Sequence, residues 1–428
     1  MPFGSGSELP GNLSAVGLAH EATFNTPLTP TQFSPFNSLA LIPQPGLFYP
    51  QTMINVRETD VFALYGQQKM TGALDSPLFP LNGILAWIAA VGNDAYQSGS
   101  STTALNGTIS AALVNATTLT YTVVAGGAPT TAMTIMIGPA AAGTFGASAL
   151  GTATAPSFIV KPTAVTGSGP YTLTVPAIPY AVVTSGGGKN NVAQNVVAPF
   201  FHSVQPTNRP ISLTVEKNVG GYQSEQYSGS MVNSFALKLP TTNAEASFTA
   251  DFLSAGVATL TTPSAVTGID SEVPFVFAEG ALSLFGTSLG TVTNVTVNLG
   301  NTIKDTYTVG NSHLPTYLTP TTRTLSGQLT VVFYSLTDTT YGYFTQAFPS
   351  LASGGAPTQG ALSLTLTHPL TAGSFYINMP QVNLEKVGDE IRIGDTIMQT
   401  LDWHASYSLS SGYMLQSYFS NNVTYNAY

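Results

Sequence analysis

The amino-acid sequence predicts a mainly β protein with one short helix near its start. Two observations predict the strands: apolar and polar residues alternate in many short stretches, and turns rich in glycine and proline separate those stretches. The stretch 244–252, AEASFTADF, puts alanine and phenylalanine on one face and glutamate, serine, threonine and aspartate on the other. Such alternation is typical of a strand with one buried and one solvated face. The third observation is a single stretch, 82–91, in which the apolar spacing is helical.

The predicted helix at 82–91 has recognisable ends. The side chain of Asn82 can cap the first turn, and Gly92 stands where a left-handed terminating residue is favoured. The apolar residues between these ends share one face of the helix, and they are Ile84, Leu85, Trp87, Ile88 and Val91. That face covers a sheet in the core or meets another subunit, and the two uses are compatible. A second short helix is predicted at Thr339–Phe348, with Asp338 as its cap.

Changes in composition along the chain predict three parts. Residues 1–56 are rich in proline, threonine and aromatic residues, which favours an extended arm docked on a surface. Residues 57–99 and 201–428 form the main β domain. Between them, residues 100–200 contain short strands at about ten-residue spacing, separated by turns of glycine, alanine and proline. This spacing predicts a small inserted β-sandwich domain.

The composition excludes several functional classes. Charged residues make up 7% of the 428 residues, against about 25% in typical soluble domains. A surface with so few charges resists association weakly, so part of it is expected to be buried against other copies. The net charge of −9 argues against a clamp for nucleic acid, which needs clusters of lysine and arginine. The absence of cysteine excludes disulfides, thiolate catalysis and cysteine-based zinc sites.

No segment predicts membrane insertion or catalysis. The longest apolar run, Gly83–Val91, is much shorter than the roughly 20 residues of a membrane-spanning helix. Gly286–Gly290 matches the Gly-x-Ser-x-Gly pattern of hydrolases, but it lies between two predicted strands and is interpreted as a β-turn. Gly186–Asn190 lacks the upstream glycine and the hydroxyl residue of a phosphate-binding loop. We therefore expect no catalytic site, no cofactor and no metal, and the five histidines lack zinc-site spacing.

The densest charge cluster does not match a calcium-binding loop. It is interpreted either as a solvated loop or as an electrostatic contact with a neighbouring subunit. Its members are Glu385, Lys386, Asp389, Glu390, Arg392 and Asp395.

Four segments follow one another in an informative order. The first, Glu21–Pro27, reads EATFNTP, and the second, 70–92, passes from a strand through a proline turn into the helix and its terminal glycine. The third is a predicted central hairpin and the fourth is the strand-rich ending. These last two comprise Leu213–Lys217 with Tyr227–Leu239, and Met379–Leu384 with Ile397–Ser408. The order resembles that of the major tail protein, or tail tube protein, of long-tailed bacteriophages, with Asn25 where that family usually has glycine.

The resemblance implies a tail-tube-type β-sandwich or barrel with one flanking α-helix, carrying the inserted domain on the tube exterior. It implies hexameric rings whose inner strands join into a continuous barrel, stacked into a tube through which the genome is delivered. The implied partners are further copies of the chain, a tape measure protein, and tail terminator and tip proteins. DNA would pass through without being bound. The protein would be part of the virion tail, assembled in the host cytoplasm.

Residues can be proposed for two surfaces of such a tube. Carboxylates on strand faces expected to be wet would line the lumen and repel phosphate, and they are Glu216, Glu245 and Asp251. Aromatic residues of the arm would form the contacts between rings, and they are Phe24, Phe33, Phe36, Phe48 and Tyr49.

Two other classes of protein fit parts of the pattern. A self-assembling decoration, capsid or surface-layer β protein would form shells or lattices instead of tubes. A secreted carbohydrate-binding or hydrolytic β protein would need a carboxylate pair or an aromatic platform. Trp87 and Trp403 are the only tryptophans, and Trp87 belongs to the apolar face of the predicted helix.

Overall fold

The computed structural model describes most of the chain between residues 13 and 421. The gaps in this description are 31, 51–62, 81, 98–104, 110–116, 132, 134, 139–157, 176–193, 198–199, 241–243, 267–272, 290–291, 311–312, 334–342, 344–346, 348–357, 369–372 and 391–396.

The described chain is mainly β, as predicted, and its described strands form no closed barrel. Eight described strands and one described helix, α1, precede the segment that was predicted to be an insertion. They are β1 Ala15–His20, β2 Gln32–Ser34, β3 Ser38–Leu39, β4 Ile42–Gln44, β5 Leu47–Phe48, β6 Leu64–Tyr65, β7 Lys69–Pro77, α1 Asn82–Val91 and β8 Gly92–Gln97.

Seven strands between residues 105 and 197 form a sheet of their own. They are β9 Leu105–Ile109, β10 Thr118–Gly126, β11 Ile135–Gly138, β12 Phe158–Val160, β13 Ala164–Thr166, β14 Tyr171–Thr174 and β15 Gln194–Val197. The order of neighbours is β12-β11-β15-β9-β10-β14-β13, and a small separate core lies around Leu119, Tyr121 and Leu173. The predicted two-layer arrangement of this segment and its boundaries at 100 and 200 stay predictions.

Fifteen strands follow the inserted segment. They are β16 Phe200–Pro206, β17 Leu213–Val219, β18 Gln223–Pro240, β19 Ser247–Ser254, β20 Gly256–Leu260, β21 Gly280–Leu284, β22 Thr287–Ser288, β23 Val292–Gly300, β24 Ile303–Thr306, β25 Tyr317–Pro320, β26 Thr324–Val332, β27 Gln359–Thr367, β28 Ser374–Glu390, β29 Met398–Ala405 and β30 Gln416–Asn421.

Two long strands connect the parts of the main sheet. The first part of β18 pairs with β17 and β20, and its second part pairs with β19 and β23. The first part of β28 pairs with β27 and β30, and its second part pairs with β29. Each long strand therefore belongs to two sets of neighbours.

Helix α1 lies inside the core. Trp87 packs edge-on against Phe235 of β18 and Phe375 of β28, with ring centroids 5.2 and 5.5 Å apart. Its indole N–H donates a hydrogen bond of 2.8 Å to the hydroxyl of Ser417. All residues from Gly83 to Val91 are buried, so the helix is apolar all round and not amphipathic. The prediction of a core helix that covers a sheet is thus confirmed, and the alternative of a face that meets another subunit is wrong for Gly83–Val91, because all of these residues are buried within their own chain.

The predicted C-terminal end of α1 is confirmed. The helix stops at Val91, and Gly92 has a φ of +143° and starts the next strand directly. A Cβ atom on Gly92 would lie 2.3 Å from the hydroxyl oxygen of Thr207, so only glycine fits this junction. The side chain of Asn82 lies outside the described ones. Of the second predicted helix, only Tyr343 and Ala347 are described, and both are helical and buried.

Candidate assembly surface

The predicted arm pairs with strands of its own chain. Strand β1 pairs with β17 and β2, and the short strands β3 and β4 pair with β7. The four strands of the arm between residues 15 and 44 are therefore part of the main sheet. The reason is that its short apolar stretches, such as Val16 and Leu18, alternate in strand fashion and bury their side chains.

A buried carboxylate fixes the turn that follows β1. Glu21 is 4% exposed, and one of its oxygens accepts hydrogen bonds of 2.9 Å from the hydroxyl of Thr214 and the N–H of Gly229. The other oxygen accepts a 3.0 Å bond from the N–H of Asn25. Three donors thus compensate the cost of burying this charge.

The turn fits against two glycines of the sheet. Asn25 has a φ of +59°, and its side-chain oxygen accepts a 2.7 Å bond from Ser228. A Cβ atom on Gly256 would lie 2.8 Å from that oxygen, and one on Gly229 would lie 3.2 Å from the ring of Phe24. These glycines leave the space in which the EATFNTP segment packs. The polar and small residues of this motif therefore have a structural role, since they attach the arm to the sheet.

Replacing Glu21 with Gln is expected to lower the free energy of unfolding by about 1–3 kcal/mol, because its amide group would face an N–H donor in a buried site. Urea unfolding followed by circular dichroism measures the loss. The exposed Glu385 offers a matched control, and Glu385→Gln is expected to stay within about 0.5 kcal/mol of the parent chain. Equal values for the two variants would contradict the role of Glu21.

An open cleft of about 470 Å³ lies beside this turn. Phe24, Met231 and Ile211 contribute apolar surface, and the guanidinium of the exposed Arg209 contributes positive charge. Burial lowers the pKa of His20 at the edge of the cleft, and the neighbouring Glu21 partly opposes this shift. The cleft can accept an apolar group next to an anionic one.

Strands β5 and β6 form a small hairpin that pairs only with itself among the described strands. The ring of Tyr65 lies 6.5 Å from that of His313, and the backbone oxygen of His313 accepts a 2.8 Å bond from Gln68. Large apolar side chains on and beside this hairpin are about half exposed or more, and they are Ile42, Leu47, Phe48, Tyr49, Leu64 and Tyr65. We call this set the hairpin patch. A group of exposed apolar side chains of this kind is typical of an interaction site.

The five aromatic residues predicted to join rings divide into two groups. Phe33 is 1% exposed, and Phe24 and Phe36 are half-buried against their own chain. These three side chains stabilise the arm on the sheet. Phe48 and Tyr49 are 58% and 50% exposed and belong to the hairpin patch. The predicted ring contact therefore narrows to these two residues and stays a prediction.

A polar surface extends across seven neighbouring strands: β7, β19, β18, β23, β26, β29 and β28. Its side chains alternate with buried apolar ones such as Phe248 and Val297. One row of directly paired residues crosses all seven strands, and it runs Asp75, Thr249, Ala236, Asn298, Ser326, His404 and Asn383. We call this surface the polar sheet face.

Acidic and basic side chains are scattered among uncharged ones on the polar sheet face. Asp402 accepts a 2.8 Å hydrogen bond from the amide of Gln328, and its paired neighbour on β28 is Lys386. Asp251 accepts a short hydrogen bond from Ser234 on the adjacent strand. Lys238 of β18 pairs with Ser247, in the row of the face next to that of Ala236 and Thr249. Among the described side chains of this face, no cluster of cations occurs.

The structure separates the three carboxylates predicted to line a lumen. Asp251 is exposed on β19, and Glu245 is exposed just before that strand. Glu216 is fully buried, so its predicted position on a wet face is wrong. The segment after β20 folds back over β17, and Ser264 donates hydrogen bonds of 2.9 and 2.6 Å to the two carboxylate oxygens. Alternation along β17 could not reveal this cover.

The structure also describes parts of the Gly-x-Ser-x-Gly motif and of the densest charge cluster. Of the Gly286–Gly290 motif, Gly286–Ser288 lies in the β21–β22 hairpin, with Gly286 at a φ of +81°, which confirms the β-turn interpretation; Gly290 lies outside the described residues. The predicted charged loop is wrong for Glu385–Glu390, because these residues continue β28. Glu385 and Lys386 are exposed, so the alternative of a contact with a neighbouring subunit stays open. Arg392 and Asp395 lie outside the described residues.

The described residues contain no group of three or more acidic or histidine side chains suited to a metal ion. In the same part of the chain, no helix has the length and apolar character to span a membrane. His202 and His368 are buried, and burial lowers the pKa of His368. The prominent features of the described residues are an attached arm, an exposed hairpin patch and a polar sheet face.

These features define the chain as a mainly β protein with a wide polar sheet face and a small patch of exposed apolar side chains. The family model described as phage tail tube protein matches residues 11–405 of this chain. The chain therefore belongs to the phage tail tube protein family, a family of structural proteins of the virion tail. Comparison with curated proteins finds no match to this chain.

Proposed function

We propose that the chain forms hexameric rings that stack into the tail tube through which the phage genome is delivered. Membership of the tail tube family is the observation that carries this proposal. The family also favours a tube over a decoration, capsid or surface-layer lattice. Tail tube assembly takes place in the host cytoplasm, and a tape measure protein with terminator and tip proteins limits the tube.

The polar sheet face is the proposed lining of the tube. Its serine, threonine and asparagine side chains present hydrogen-bonding groups without a cluster of cations, so DNA can slide past without strong binding. The exposed carboxylates of Asp251 and Glu245 add local repulsion for phosphate. Sheets of adjacent subunits that meet edge to edge would also cover exposed strand edges, which otherwise invite uncontrolled pairing.

The hairpin patch is the proposed contact between successive rings. Phe48 and Tyr49 are too exposed to contribute much to the stability of their own chain. Burying an aromatic side chain at an interface contributes about 1.5–3 kcal/mol, and each ring would repeat the contact in every subunit. A contact between unlike surfaces of identical subunits can continue indefinitely, as a tube requires.

The ring is tested by native mass spectrometry of freshly purified chain at low concentration. Species of six chains, each of 44.5 kDa, are expected before long polymers form. Dimers or a continuous series of sizes without a six-chain species would contradict the hexameric ring.

The lining is tested by reversing charge at Asp251 and Glu245. The double change of these residues to Lys is expected to leave the fold within about 0.5 kcal/mol of the parent, since both side chains are exposed. Assembled tubes of the variant are expected to retain short double-stranded DNA, with release as salt is raised. Asp305→Lys, in the separate β24–β25 hairpin, reverses one charge away from the face, and it is compared with the single change Asp251→Lys, which reverses one charge on the face. Equal DNA retention by both variants would contradict the assignment of the lining.

A further inference from the structure

A buried histidine and aspartate form an ion pair beside the inserted sheet. His202 is 1% exposed and Asp94 is 6% exposed. The Nδ1 atom of His202 lies 2.6 Å from an Asp94 carboxylate oxygen, and its Nε2 atom lies 3.2 Å from the side-chain oxygen of Asn421. The ring also stacks on Phe419, with centroids 4.3 Å apart and planes 5° from parallel.

The hydrogen bonds around the ring indicate which atoms carry protons. The side-chain nitrogen of Asn421 donates a 3.4 Å bond to the backbone oxygen of Pro80, so the amide oxygen is the atom that faces His202. Turning the amide over would set its oxygen against the Pro80 oxygen, and neither atom could donate. Nε2 therefore faces an acceptor, and Nδ1 faces a carboxylate, which is also an acceptor. Both ring nitrogens must donate, which only the imidazolium form can do.

The surroundings of His202 favour the imidazolium form. A carboxylate and an imidazolium at 2.6 Å form a charge-assisted hydrogen bond of the strong kind. The second carboxylate oxygen of Asp94 is buried and has no hydrogen-bond partner in the described residues. Its negative charge is thus compensated mainly through His202. Phe419 and Asn421, which also contact the ring, are uncharged.

The pair lies where three parts of the chain meet. Asp94 belongs to β8, the last strand before the inserted sheet, and His202 belongs to β16, the first strand after it. Strands β8 and β16 pair with each other, and β16 also pairs with β30, which carries Phe419 and Asn421. The strands β9 to β15 pair only among themselves in the described residues. The ion pair therefore ties both ends of the inserted segment to the C-terminal strand.

We infer that His202 is held as an imidazolium and, with Asp94, latches the two strands that flank the inserted sheet onto the main sheet. The latch fixes the base of the inserted segment through one buried charge pair. This inference is independent of whether the chain forms a tube.

The charge state is tested on the full chain labelled with ¹⁵N-histidine, by magic-angle-spinning NMR of sedimented protein at pH 7.5. The chain has five histidines, so the spectrum is simple. One ring with both nitrogens protonated is expected, in contact with an aromatic ring. It should be lost in His202→Gln and become neutral in Asp94→Asn. Should either variant not fold, the close stacking on Phe419 identifies the His202 signal in the parent chain, since its ring centroids lie 4.3 Å apart, against 6.5 Å for His313 and Tyr65 and 6.4 Å for His368 and Phe275. A His202 signal with one unprotonated ring nitrogen would overturn the inference.

The latch is tested by hydrogen exchange and mass spectrometry on His202→Gln, with His404→Gln as the matched control on the half-exposed side of β29. Amides of β8 and β16 are expected to exchange at least roughly tenfold faster in His202→Gln, as after loss of a bond to a charged group. Amides of β23 and β26 should keep their rates. Unchanged exchange in β8 and β16 would overturn the latch. Faster exchange throughout the chain would also overturn it, because His202 would then support the whole fold.

Discussion

Trp87→Ala is expected to lower the free energy of unfolding by about 3–5 kcal/mol, the usual cost of removing a fully buried tryptophan side chain. The side chain is inaccessible to solvent and fills the space between Phe235 and Phe375. Its removal leaves a cavity between α1 and two sets of strands. The hydroxyl of Ser417 also loses its hydrogen-bond donor in a buried site.

Such a loss is a large fraction of the stability of an ordinary domain, which is about 5–15 kcal/mol. The variant is therefore expected to yield little folded protein and few polymers. Trp87→Phe is the matched comparison, since it keeps an aromatic ring and removes the N–H. Its cost is expected to be smaller, about 1–3 kcal/mol. Chemical denaturation of both variants measures these values. A loss below about 1 kcal/mol for Trp87→Ala would contradict the central position of α1.

Replacing both Phe48 and Tyr49 with Asp is expected to stop polymer growth and leave the fold intact. Both side chains are half exposed or more in the single chain, so their loss changes the free energy of unfolding by about 0.5 kcal/mol or less. In the proposed stacked state the same positions are buried, and burying a carboxylate without a partner there is strongly unfavourable. The concentration at which polymers form is expected to rise at least about tenfold, equivalent to 1.4 kcal/mol.

Sedimentation at a series of protein concentrations measures this threshold, and circular dichroism checks the fold. Leu409→Asp is the matched control, because Leu409 is 92% exposed in a turn away from the hairpin patch. It introduces one of the double variant's two negative charges, on an apolar position that is more accessible than either Phe48 or Tyr49. Polymerisation of the double variant at the same concentration as the parent would contradict the role of the hairpin patch.

Local signals in the sequence predicted the parts of the fold that depend on local structure. The helix ends at Val91 because Gly92 adopts a conformation that other residues avoid, and a glycine is visible in the sequence. Strand β19 alternates as expected, with Phe248, Ala250 and Phe252 buried and Asp251 exposed. The hairpin at Gly286 follows from the short spacing between two strands.

Features that depend on distant segments were not predictable in the same way. Glu216 alternates correctly within its strand, but Ser264 covers it from a segment 48 residues away. Helix α1 has an apolar face that the sequence reveals, but its remaining positions are small residues such as Ala86 and Ala90, which fit either water or a core. These positions are buried because strands surround the helix, and the arrangement of those strands cannot be inferred from the local sequence.

The candidate site was only partly predictable for the same reason. The EATFNTP segment stood out through its resemblance, and the structure gives Glu21 and Asn25 definite hydrogen bonds that attach the arm. In the sequence the hairpin patch was visible only as aromatic residues of the arm. The sequence did not show that Phe33 would be buried and Phe48 exposed. His202 and Asp94 lie 108 residues apart and match no motif, so no signal in a single sequence could join them.

Cryo-electron microscopy of the purified chain at high concentration, without other proteins, tests the central claim most directly. The account predicts hollow tubes built from stacked six-fold rings, with Asp251 and Glu245 facing the bore and Phe48 and Tyr49 buried between rings. Flat sheets, closed shells or persistent monomers at every concentration would contradict the tube. Tubes in which the polar sheet face lies on the outer surface would contradict the proposed lining.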